Sequence, residues 1–157
     1  MSDPAVQIED GAPEGGGRTR HALLKRLADV VSLPGSRVNA FERAVTGDLL
    51  VEMLRLAAPQ ERRRVAERLA PLTELPNSLT RMLLCDEPEV AAPLIANCTG
   101  LTDADLFACV HDAGPTHRRL VAERRGVSEL IAEALLVYEE PETAEALLRN
   151  ATARLSQ

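Results

Sequence analysis

The chain has 157 residues, of which 45% are hydrophobic, 2% aromatic and 27% charged, with a formal net charge of −6. That length supports one domain with a real core, and without tryptophan the core must be built from Leu, Val, Ala and Ile. Asp3, Glu9, Asp10 and Glu14 precede residue 18 with no base among them, which leaves −2 for the rest. A nearly neutral body argues against bulk attraction to nucleic acid or anionic lipid.

Residues 1–17 read as a disordered acidic and Gly-rich tail, because Gly11, Pro13 and Gly15-Gly16-Gly17 bury too little apolar surface to offset ordering entropy. The remainder, 18–157, reads as one α-helical domain. From about Arg18 to Val31, the residues Leu23, Leu24, Leu27, Val30 and Val31 share a helical stripe. Pro34-Gly35 turns the chain. The next helix starts at a capping box of Asn39 and Glu42. Its stripe is Phe41, Val45, Leu49, Met53 and Leu56, and Gly47 inside it costs about 1 kcal/mol relative to alanine. Residues 18–58 are therefore expected to form an N-terminal helical hairpin that caps the rest of the domain.

From Pro59 onward one pattern occurs four times, opening at Pro59, Pro88, Pro115 and Pro141, at intervals of 29, 27 and 26 residues. Six residues after each proline stand Val65, Leu94, Val121 and Leu147, and seven after it Ala66, Ile95, Ala122 and Leu148. Nine after it the chain alternates Arg68, Asn97, Arg124, Asn150. A fixed period of this size signals stacked helical repeats, and proline suits a first helical turn, where its missing N–H is not needed. Each unit is expected to hold a helix A and a helix B, at about 59–69 and 77–85, 88–98 and 102–113, 115–124 and 128–138, with a last helix A at about 141–150. The inward faces include Val65, Ala66, Leu69, Met82 and Leu83, then Leu94, Ile95, Leu106, Phe107 and Val110, then Leu120, Val121, Ile131 and Leu135. No alternating β-branched run marks a strand.

The segments Glu87-Pro-Glu-Val-Ala-Ala-Pro-Leu, Leu101-Thr-Asp-Ala-Asp-Leu, Pro115-Thr-His-Arg-Arg-Leu and Ala146-Leu-Leu-Arg-Asn carry a likeness. The run from about Ala58 to Leu155 resembles HEAT-like α-helical repeats, and more narrowly an uncharacterised family of alphaproteobacterial HEAT-like proteins. The resemblance implies an all-α, right-handed α-solenoid used for binding, and it brings no catalytic residues to carry over.

Motifs for chemistry are lacking. Cys85, Cys98, Cys109, His111 and His117 match no zinc-ligand spacing, so neither metal nor other cofactor is expected. No phosphate loop, GxSxG elbow or HExxH occurs. Asp103, Asp105, Asp112, Glu139 and Glu140 fall at helix ends, where acids favour the N-terminal dipole or face solvent. An odd count of cysteines in apolar helical stretches fits a reducing cytosol. No run approaches the roughly 18 apolar residues of a membrane span, and no secretory h-region is present.

The arginines are the suggestive feature. Arg62, Arg63, Arg64 and Arg68 match Arg118, Arg119 and Arg124 in register, whereas the intervening units carry Ala91, Ala92, Ala144 and Glu145. Stacked units would set Arg62, Arg63, Arg118 and Arg119 in a row able to dock an acidic partner. A solvated helix face with ordinary surface arginines is the plainer account. The expected function is a non-catalytic protein-interaction scaffold or adaptor, with bacterial signalling or regulation as its expected setting. The alternative is a HEAT-like protein holding nucleic acid on the arginine row, which one lysine and few aromatics disfavour. Leu147 and Leu148, on a last helix A with no helix B to cover it, together with Leu155 beyond that helix, point to a homodimer through the C-terminal end.

Overall fold

The computed structural model describes residues 14–155. Among them are nine α-helices and no strand: α1 Glu14–Val31, α2 Ala40–Leu54, α3 Pro59–Leu69, α4 Asn77–Leu84, α5 Pro88–Asn97, α6 Asp103–Asp112, α7 Pro115–Glu123, α8 Glu129–Leu136 and α9 Pro141–Arg149. The expected tail falls outside the described residues up to residue 13. Beyond it the boundary moves, because α1 starts at Glu14 and takes Gly15–Gly17 into its first turn. Once a helix has nucleated, adding a residue costs only its propensity, about 1 kcal/mol for glycine relative to alanine.

The helix starts obey local chemistry. Pro59, Pro88, Pro115 and Pro141 each occupy the first helical turn. Asn39 accepts from the Glu42 N–H at 2.9 Å, while the Glu42 carboxylate accepts from the Asn39 N–H at 3.0 Å. Thr102 and Asp105 repeat that exchange ahead of α6.

Odd-numbered helices pack on their odd neighbours (α1 on α3, α3 on α5, α5 on α7, α7 on α9), and even-numbered ones likewise from α2 to α8. This order leaves α1 and α2 at one end and α8 and α9 at the other. A continuous apolar core runs between the rows, from Leu24 and Val31 through Leu69, Leu83 and Ile95 to Leu135 and Leu147. The residue six after each leading proline is buried in all four units. The residue seven after it is buried in the first three, whereas Leu148 is 77% exposed. No further odd-numbered helix among the described residues lies over it.

Two glycines mark close approaches. A Cβ on Gly47 would sit 2.6 Å from the Pro76 ring, and one on Gly100 would overlap the Thr73 carbonyl. Gly47 is therefore the contact that seats α2 against the start of α4.

This contact corrects the expected face of α2. Its buried residues are Gly47, Leu50, Val51 and Leu54. The stripe read from the sequence is turned out: Phe41 is 77% exposed, Val45 50%, Leu49 51% and Leu56 74%, with only Met53 half-buried. α2 is apolar on two sides, and periodicity alone does not say which one the body covers. Phe107 is likewise 46% exposed rather than in the core; Leu106 and Val110 fill the inner face of α6 instead.

Candidate interaction surfaces

Register places the arginines, and packing divides them. Arg62 reaches out of the first unit to the acids just before Pro88. Its Nε donates to Asp86 at 2.7 Å, its Nη2 to Asp86 at 2.9 Å and to Glu87 at 3.0 Å, and its Nη1 to the Ala57 carbonyl at 2.8 Å. Arg118 acts in the same way two units later. Its Nε and Nη2 donate to Glu140, the residue before Pro141, at 2.9 and 2.6 Å. Its Nη1 donates to the carbonyls of Val110 and Ala113, and its guanidinium lies 4.0 Å from the centre of the Tyr138 ring.

The hydrogen bond to Asp86 raises the pKa of Arg62, and the bond to Glu140 does the same for Arg118, in both cases against burial. Reciprocally, Arg118 lowers the Glu140 pKa, which Thr143 assists. Arg118 is only 8% exposed. Of the expected docking row, Arg62 and Arg118 therefore each make four hydrogen bonds within the chain.

In three of the four units the arginine or asparagine nine residues after the leading proline ties adjacent units too. Arg68 pairs with Asp29 of α1. Arg124 donates to the carbonyls of Ile95 and Cys98 at 2.5 and 2.6 Å, and Asn150 donates to those of Ala122 and Arg124 at 2.8 and 2.6 Å. Those carbonyls are the ones a helix C-terminus leaves without partners. Burial among them lowers the Arg124 pKa.

Arg63 and Arg119 remain outside. Each is half-exposed and held by an acid one turn on, Glu67 at 2.9 Å and Glu123 at 3.0 Å. A cleft of about 550 Å³ between α7 and α9 is lined by Arg119, Glu123, Glu142, Glu145 and Arg149, whose charges pair among themselves, and by Arg125, which enters no ion pair among the described residues.

The cysteines and His117 are turned inward, Cys85 excepted. His117 Nε2 donates to the Asp86 carbonyl at 2.8 Å, which requires its proton on that nitrogen. Cys98 and Cys109 approach the carbonyls of Leu72 and Leu84. Burial, then Cys85 and Asp112, push the Cys109 thiol up to about 12. Among the described residues no three His, Cys, Asp or Glu side chains converge as a metal site would require.

The self-association set also divides. Leu147 is 2% exposed and belongs to the core, a correction that stems from the 100° step between consecutive helical residues. Leu148 at 77% and Leu155 at 44% are exposed. Sequence reading missed further exposed apolar side chains. At the α8 end, Leu130, Leu136 and Val137 are 55%, 49% and 78% exposed; at the other end lies the α2 stripe. The signal for α2 was present in its sequence, since a helix apolar on two sides has a second face to cover.

Residues 90–157 match the model of DUF2336, a family described as an uncharacterised protein conserved in bacteria. The match runs from α5 to the end and spans less than half of the chain. No curated protein and no solved structure matches. Among the described residues no helix is long and apolar enough to cross a membrane.

Proposed function

We propose that this chain is a non-catalytic protein-interaction module, a right-handed HEAT-like α-solenoid that serves as a cytoplasmic scaffold or adaptor in bacterial signalling or regulation. The alternating packing of odd and even helices supports the solenoid. The observation that carries the function is the outer face of α2, where Phe41, Val45 and Leu49 stand half or more exposed, with Leu56 exposed just beyond the helix end. Burying such side chains contributes about 1 to 2 kcal/mol each. A run of them with an aromatic anchor has the make-up of an interface core.

The nucleic-acid reading loses support from the arginines that would serve it. Arg62, Arg118 and Arg124 hold the units together, which leaves Arg63 and Arg119, each already paired to an acid, and Arg64, which enters no ion pair among the described residues.

A photo-crosslinking residue at Val45, in a nuclease-treated lysate of the native bacterium, tests the module. A protein captured there, and lost with Phe41→Ser/Leu49→Ser but kept with Arg63→Glu/Arg119→Glu, supports it. Binding that nuclease abolishes transfers the function to nucleic acid.

A further inference from the structure

We infer that the groove between α1 and α3 takes the acidic segment of the same chain that precedes α1, held through Asp3, Glu9 and Asp10. The α2 face plays no part in this contact, so the inference goes beyond the interaction module and stands or falls without it.

Charges across the groove are arranged in rungs. His21, Lys25 and Asp29 follow one another a turn apart along α1, and Glu61, Arg64 and Arg68 do so along α3. At the first rung His21 meets Glu61 at 3.5 Å, and at the last Arg68 pairs with Asp29. Each of these rungs holds one base and one acid. The middle rung brings Lys25 and Arg64 into the same cleft. Both are exposed, and neither enters an ion pair or hydrogen bond among the described residues. An acid is what that rung lacks.

The cleft has a volume of about 360 Å³, and Leu24, Ala28 and Val65 give it an apolar floor. A bare anion would satisfy the rim and leave the floor. A segment that carries both acids and apolar side chains satisfies the two together.

The chain tethers such a segment beside the cleft. Residues 1–13 contain Asp3, Glu9 and Asp10 and no basic side chain, with Val6 and Ile8 between the first acid and the second. They join α1 at Glu14. At 1.5 Å of rise per residue, Lys25 stands about 16 Å further along the helix. Five residues of chain span up to about 17 Å and eleven up to about 37 Å, so Glu9 reaches Lys25 and Asp3 reaches the whole cleft. Tethering over that distance gives an effective concentration on the order of millimolar, which a free acidic ligand must outcompete. The segment thereby holds the groove against other acidic chains.

Lys25 is the only lysine in the chain, which makes a direct test specific. A zero-length carbodiimide joins an amine to a carboxylate in contact with it, with loss of one water. Applied to the dilute full chain at low salt, it is expected to join Lys25 to Asp3, Glu9 or Asp10 within the monomer, read as a linked peptide by mass spectrometry. Arg64→Ala, at an exposed residue, is expected to cut the yield of that link about threefold or more, because half the charge of the rung is gone. Salt at about 1 M, where screening sets in within about 3 Å, is expected to do the same. Arg63→Ala, outside the groove, is expected to leave the yield unchanged. Circular dichroism confirms that both variants are folded.

Linkage of Lys25 to Asp29 or Glu61 alone, or to nothing, overturns the inference. So does a link to the segment that Arg64→Ala leaves at full yield, because the segment then passes Lys25 without being held by the rung. A link confined to a dimer fraction overturns it in favour of a segment supplied by a second copy. None of these results bears on capture at Val45, so the two readings fail separately.

Discussion

Arg118 grips Glu140 as Arg62 grips Asp86: each arginine reaches out of its own unit to the acid just ahead of the next leading proline, with N–O distances of 2.6 and 2.9 Å for Arg118 and 2.7 and 2.9 Å for Arg62. The two are equivalent in register, and the acids they hold precede Pro88 and Pro141. Both therefore clamp the entry of one helix onto the end of the unit before it.

Truncating the more buried clamp is costly. Arg118→Ala leaves Glu140 with only the Thr143 hydroxyl and takes the arginine's bonds from two carbonyls, and is expected to lose about 2 to 3 kcal/mol. Arg118→Lys recovers little, because an ammonium does not reproduce the fork. Arg63→Ala, at an exposed pair, is expected to change stability by at most about 0.5 kcal/mol. Urea denaturation of the three variants checks this; equal losses for Arg118→Ala and Arg63→Ala contradict the assignment.

The clamp also gives stability a dependence on acid. Glu140 has its pKa lowered in the folded chain by the hydrogen bond from Arg118. Its contribution is present above the unfolded value near 4.5 and is lost as pH falls through the lower folded value. Stability is expected to drop below about pH 4.5 with a smaller slope in Glu140→Gln than in wild type. Thermal midpoints across that range supply the comparison, and parallel curves count against it.

At Gly47, helix propensity and packing predict opposite signs. Alanine gains about 1 kcal/mol of propensity in a helix interior. Its Cβ would also stand 2.6 Å from the Pro76 ring. Overpacking of that kind costs about 1 to 3 kcal/mol, so Gly47→Ala is expected to destabilise on balance. A rise in thermal midpoint means that α2 is seated otherwise.

Glu139 holds a φ of 52° in the turn between α8 and α9. A side chain there costs about 1 to 2 kcal/mol, part of which glycine returns in unfolded-state entropy. Glu139→Gly is expected to stabilise by about 0.5 to 1 kcal/mol. Unchanged or lower stability in urea contradicts the strain.

Thiol reagents should distinguish the cysteines. Cys85 is exposed, whereas Cys98 and Cys109 are buried, and burial holds the Cys109 thiol at about 12. One thiol is expected to react in the folded chain and three in denaturant, counted by mass. Rapid labelling of Cys109 in the native chain excludes the burial of the inner face of α6.

Taken alone, the sequence determined the helices and their order. The prolines at 59, 88, 115 and 141 and the caps at Asn39 and Thr102 are local signals, read within a turn or two, and the helices start where those signals fall. The six-after-proline positions were legible as well, since a 3.6-residue period points one residue per unit inward. Tertiary structure decided which of two apolar faces α2 buries, because that depends on Gly47 meeting Pro76 from a different part of the chain. It also decided that Arg62, Arg118 and Arg124 turn inward while Arg63 and Arg119 stay out. Adjacent arginines look alike in a sequence, but a helix sends them 100° apart, and only the acids and carbonyls of the next unit select which one is held.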